Sequence, residues 1–109
     1  MKNKEASNLL EIRYGKECMA TNLTKEITYH HIQKANDGGK ATVDNGARLQ
    51  VDIHQWLHCA CEYQDKELFN LINECLQLYK QCIDKGNKEL IKQYKDEVIP
   101  EFRKILGIK

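Results

Sequence analysis

The chain has 109 residues, enough for one domain and too few for two of ordinary size. Hydrophobic residues make up 41% and charged residues 30%, which excludes a disordered chain, and the apolar runs are too short to span a bilayer. A formal net charge of +1 excludes the strong basic excess that usually drives non-specific nucleic-acid binding, so any polyanion surface must be local.

The N-terminus, from Met1 to Glu5, leads into no apolar signal core, and five cysteines (Cys18, Cys59, Cys61, Cys75 and Cys82) are an odd count. Both features point to reduced thiols in a cytoplasmic protein rather than a disulfide framework. With no linker or repeat, residues 1–109 read as one α+β domain in three zones.

Residues 1–25 hold a short N-terminal helix and a loop. The helix runs from Lys4 to about Tyr14, and Gly15 is its stop signal. Residues 26–62 read as strand, glycine-rich loop, strand and helix. The stretch from Glu26 to Ile32 is rich in β-branched and aromatic residues, and Asn36-Asp37-Gly38-Gly39 and Asp44-Asn45-Gly46 are turn signals. Arg48 to Val51 alternates weakly, and Asp52 is the expected cap of a helix from Ile53 to about Cys61. Residues 63–109 form a helical hairpin. Leu68, Leu71, Ile72, Cys75, Leu76, Tyr79, Cys82 and Ile83 recur at three- and four-residue steps. Gly86-Asn87 breaks that helix, and Pro100 ends or kinks the next one. The hairpin's stripe is expected to pack on the strand-and-helix unit, with a homodimer through the C-terminal helices as the alternative. Its lysines, interspersed with acids, read as a solvated outer face.

All four histidines fall between positions 30 and 58. His54 and His58 are four apart on a predicted helix, so both imidazoles project from one face, close enough to share an ion. The ordered pattern is His30-His31, thirteen residues, Asn45, eight residues, His54, three residues, His58. With its two glycine turns, the stretch from Tyr29 to His58 resembles the HNH endonucleases, the ββα-metal nucleases, in their all-histidine branch.

The resemblance implies a small ββα-metal core between the N-terminal helix and the helical hairpin, and a metal-dependent endonuclease hydrolysing DNA phosphodiesters. It makes His31 the general base, His30, His54 and His58 the metal ligands, and Asn45 the residue that ties down the loop and orients the base. Three imidazoles favour Zn²⁺, Ni²⁺ or Mn²⁺, with Mg²⁺ the remaining candidate. The partner implied is DNA, with RNA open, and the setting a bacterial or phage-encoded element. The other reading is a non-catalytic, metal-stabilised module that binds DNA or a protein.

Adjacent strand residues point to opposite faces, so His30 and His31 cannot both face one ion from a regular strand. Lys34, Lys40 and Arg48 flank the glycine loop and are either phosphate contacts or solvated surface. Trp56, Tyr29 and Tyr63 are either core or stacking platforms. Many family members hold a structural zinc with two Cys-x-x-Cys pairs, whereas here Thr21 follows Cys18 at the paired position and Cys59-Ala60-Cys61 has the wrong spacing. The cysteines are read as small hydrophobes.

Overall fold

The computed structural model describes residues 2–33, 38–62 and 64–107, apart from the side chains of residues 60, 61 and 106. It is an α+β fold built on a two-stranded antiparallel sheet. Helix α1 (Asn3–Tyr14) comes first, capped by Gly15, whose φ of 101° suits a residue without a Cβ. Strand β1 (Ile27–His31) pairs with β2 (Gly46–Gln50) in a register that sets Thr28 opposite Leu49 and His30 opposite Ala47.

Helix α2 (Val51–Trp56) follows β2 directly and continues as π-helical turns over Leu57–Glu62. Gln50 occupies the cap position and makes no side-chain cap bond, so Asp52 lies inside the first turn rather than capping it. Helix α3 (Lys66–Asp84) is capped by the Asp65 carboxylate, which accepts from the Leu68 N–H at 3.1 Å. After Gly86, the side chain of Asn87 caps α4 (Lys88–Gln93).

Pro100 neither ends the last helix nor leaves it regular. Tyr94–Val98 widens into π-helical turns, with the Ile99 N–H reaching back to the Tyr94 carbonyl, and α5 (Ile99–Leu106) then starts with the proline in its first turn. A widened turn moves the preceding carbonyls away from a proline ring that has no N–H to offer them.

The sheet lies between two helical layers. On one face, α1 buries Ala6 and Leu10, and the Arg48 guanidinium donates to the Ser7 carbonyl (3.0 Å) and hydroxyl (3.1 Å). On the other face, α2 buries Ile53, the π-helical turns bury Leu57, and α3 contributes Phe69, Ile72 and Leu76. The segment around residue 19 covers the outer edge of β2, with the Met19 N–H donating to the Arg48 carbonyl, so every residue of β2 is buried. The C-terminal helices close this end. Tyr94 stacks on Tyr79 with ring centroids 4.1 Å apart and donates its hydroxyl to the Met19 carbonyl, while Arg103 donates to the Thr21 carbonyl.

Lys80 departs from the expected solvated face of the hairpin. It is 2% exposed, and its ammonium donates to the carbonyls of Val43, Asp44 and Gly46 at 2.6–3.0 Å. Burial pulls its pKa down to about 8, which leaves it cationic at neutral pH. Among the described residues no helix is long and apolar enough to cross a membrane.

Candidate metal centre

Strand periodicity sorts the first histidine pair. Thr28 and His30 share one face of β1 and point toward α2 and α3, while Tyr29 and His31 share the other. His31 is half-buried and meets the Tyr29 ring edge-on, with centroids 4.9 Å apart. His30 is wholly buried and faces His54 and His58, at centroid separations of 5.1 and 5.5 Å. The two helical histidines stand 4.8 Å apart, His54 in α2 and His58 in the π-helical turns. One ligand nitrogen from each of the three lies within 4.8 Å of the others, and no second such group of His, Cys, Asp or Glu occurs among the described residues.

What distinguishes this trio from three packed imidazoles is the way each ring is held. The Thr28 hydroxyl donates to the Leu49 carbonyl at 2.7 Å, so toward His54 Nδ1 (2.8 Å) it can only accept. That puts the His54 proton on Nδ1 and leaves the Nε2 lone pair free. His30 Nε2 meets the Asn73 amide oxygen at 2.7 Å, and an amide oxygen only accepts. The remaining His30 nitrogen, Nδ1, is buried with no hydrogen-bond partner. His58 Nδ1 faces the Glu62 carboxylate at 2.8 Å, one helical turn on.

Acceptors from three parts of the chain therefore each occupy one nitrogen of a ring, and the second His30 nitrogen is left buried without a partner. A buried acceptor without a donor costs about 1–3 kcal/mol. A divalent cation would relieve that cost, and a histidine that gives its second nitrogen to a carboxylate, amide or hydroxyl is the usual form of a metal ligand. Two imidazole nitrogens on one ion stand roughly 3.3 Å apart, given metal–nitrogen bonds near 2.05 Å and tetrahedral angles. Three imidazole donors suit Zn²⁺ or a neighbouring transition ion.

Electrostatics agree with neutral rings. Burial holds the pKa of His30 down at about 4, outweighing the upward pull of Asn73, and the neighbouring histidines lower it further. His54 is likewise held at about 4, by burial first and then by His58 and His31. Proton competition for these two nitrogens is thus weak at neutral pH.

Asn45 sits where it ties down the glycine loop. Its side-chain oxygen accepts from the Gln33 N–H at 2.8 Å, and its amide donates to the carbonyls of Gln33 and Lys40 at 3.0 Å. Gly39 lies against the same residues, since a Cβ there would collide with the Gln33 carbonyl and crowd the Asn45 amide. Of the basic residues flanking the loop, Lys34 lies outside the described residues and Lys40 is exposed. Arg48 is buried, committed to Ser7 and within 3.6 Å of the Glu11 carboxylate, so it is a tether for α1 rather than a phosphate contact. Tyr29, too, is a tether: its hydroxyl donates to the Thr42 carbonyl and accepts from the Thr42 N–H. Tyr63 lies outside the described residues; Trp56 is half-buried against the core.

Thr28, Glu62 and Asn73 are absent from the sequence reading. Thr28 was within reach, two residues before His30 on the same strand face, and so was Glu62, one turn after His58. Asn73 comes from a separate helix, and nothing in its local pattern marks it. Comparison with known protein families, with curated proteins and with solved structures finds no match to this chain.

Proposed function

We propose that this chain is a metal-dependent nuclease of the HNH type, hydrolysing phosphodiester bonds in DNA with His31 as general base. The observation that carries the reading is the division of labour along β1. His30 turns inward with His54 and His58, a group that could hold a cation, and His31, the next residue, meets the Tyr29 ring and is not one of that group. A bound divalent ion would neutralise charge on the scissile phosphate and stabilise the leaving 3′ oxygen. His31 would take the proton from the attacking water, the general-base role to which an imidazole is suited. Asn45 acts at one remove by holding the loop that follows the His31 strand end. Zn²⁺, Ni²⁺ and Mn²⁺ suit the nitrogen donors better than Mg²⁺.

One set of observations favours a non-catalytic, metal-stabilised module that binds DNA or a protein. Net charge is only +1, and Arg48 is withdrawn into the interior, which leaves Lys40 as the exposed basic residue of the loop among the described ones. Plasmid nicking with each ion in turn separates the two readings. Under the nuclease reading, His31→Ala loses cutting by about a hundredfold or more while its metal content and circular dichroism match wild type. Equal behaviour of the two proteins, or no cutting by either with metal bound, would assign the chain to the binding module.

A further inference from the structure

Helix α3 turns one face to the sheet, yet carries a second apolar seam. Leu71 and Leu78, seven residues apart, are 55% and 59% exposed, and Cys75 and Cys82 lie half-buried beside them. The steps 71, 75, 78 and 82 alternate between four and three, the spacing by which one helix meets another along a continuous line. Next to the seam, a hollow of about 180 Å³ lies between α3 and the start of α4. It is lined by Leu78, Gln81, Cys82, Lys85, Asn87 and Leu90, the last 46% exposed. Four of these, at 78, 81, 82 and 85, stand at i, i+3, i+4 and i+7. Such a diamond receives a single side chain from a facing helix.

The seam itself supplies a side chain of the right kind. In a two-fold antiparallel pairing, Leu71 of a second copy enters the hollow when it lies opposite positions 81 and 82. That register sends Leu78 of the second copy between positions 74 and 75, into the next diamond of Leu71, Glu74, Cys75 and Leu78. It also brings Glu67 opposite Lys85 at each end, both exposed residues. One register thus seats both leucines and sets opposite charges together, and the two-fold axis repeats each contact. A parallel pairing would set Glu67 against Glu67 and Lys85 against Lys85, which is unfavourable.

We infer that the chain forms a two-fold antiparallel homodimer through α3, with Leu71 of each copy seated in the other's hollow between α3 and α4. Phe69 and Asn73, which meet the histidines, lie on a different side of α3, so the dimer leaves both candidate metal centres uncovered. The inference stands apart from the nuclease reading.

Light scattering on size-exclusion fractions over a range of concentrations tests it. Wild-type mass is expected to rise from 12.7 kDa toward twice that value. Leu71→Asp and Leu78→Asp stay at the monomer mass, with helical circular dichroism unchanged because both side chains are exposed in the monomer. Glu67→Lys raises the dissociation constant by about fivefold or more, since each like-charge contact occurs twice, and adding Lys85→Glu restores it. A wild-type monomer at every concentration would overturn the inference. So would a dimer that survives Leu71→Asp, a larger assembly, or a charge reversal that Lys85→Glu does not repair.

Discussion

Thr28 has two jobs for one hydroxyl, and the order in which it does them decides what His54 can bind. Its proton goes to the Leu49 carbonyl, so its lone pair must take the His54 Nδ1 proton, which leaves Nε2 unprotonated in the neutral ring. Asn73 does the same for His30. Thr28→Val keeps the shape and removes the acceptor, while Asn73→Leu removes the other. Each is expected to weaken Zn²⁺ binding by about 10- to 100-fold in a chelator-competition titration. Affinities equal to wild type in both variants would show that the rings are not held this way.

The same residues give acid sensitivity. In the unfolded chain an imidazole titrates near 6.5, whereas His30 and His54 in the fold titrate near 4. Between those values the unfolded state binds more protons, so stability of the metal-free protein is complete above about pH 6.5 and falls as pH drops toward 4. Thermal midpoints measured across pH 4 to 7 in the presence of chelator check this. A flat profile would mean that the two rings are not buried neutral.

At the scale of elements, the site depends on how α3 holds a loop it does not adjoin in sequence. Lys80 gathers three carbonyls from residues 43–46, the turn that carries Asn45 and begins β2. Lys80→Met removes the ammonium that these three carbonyls share, leaving Val43 only the Gly46 N–H, and is expected to cost about 2 kcal/mol or more in urea unfolding. Gly46, at the end of that turn, has no room for a Cβ, which would collide with the Tyr29 ring, Leu10 and the Thr42 carbonyl. Gly46→Ala should lower the thermal midpoint by several degrees, and an unchanged midpoint would mean that the turn yields easily.

Local signals explain what could be read in advance. Gly15 and Gly86-Asn87 punctuate the helices, and the three-and-four stripe along α3 marks a helix wherever it packs. His54 and His58 converge because four residues make about one helical turn. Contacts distant in sequence could not be read. Asn73 lies 43 residues from His30 and Lys80 34 residues from Gly46, and a polar residue on a helix looks the same whether it faces water or a buried acceptor. Arg48 misleads for the same reason, since its ion pair with α1 exists only once the sheet and helix have met. Continuation of the last helix past Pro100 hinges on a widened turn that no residue announces.

For the whole molecule, the three ligand candidates join β1 to α2 and its π-helical extension, and Asn73 ties α3 to the same point. A cation bound there would brace both elements of one layer against the sheet. Ligand-linked stability then follows, at about 2.7 kcal/mol when free ion is a hundred times the dissociation constant. Zn²⁺ should raise the thermal midpoint of wild type and leave that of a His54→Ala, His58→Ala double variant unchanged. An equal rise in both proteins would move the ion elsewhere.

The most direct measurement is the number of ions held per chain and the residues that hold them. Equilibrium dialysis against Zn²⁺ should give one tightly bound ion in the wild-type protein and none in the His54→Ala, His58→Ala variant with helical circular dichroism preserved. Wild-type protein that retains no ion, or a double variant that retains one as tightly, would contradict the convergence of the three imidazoles on a single cation.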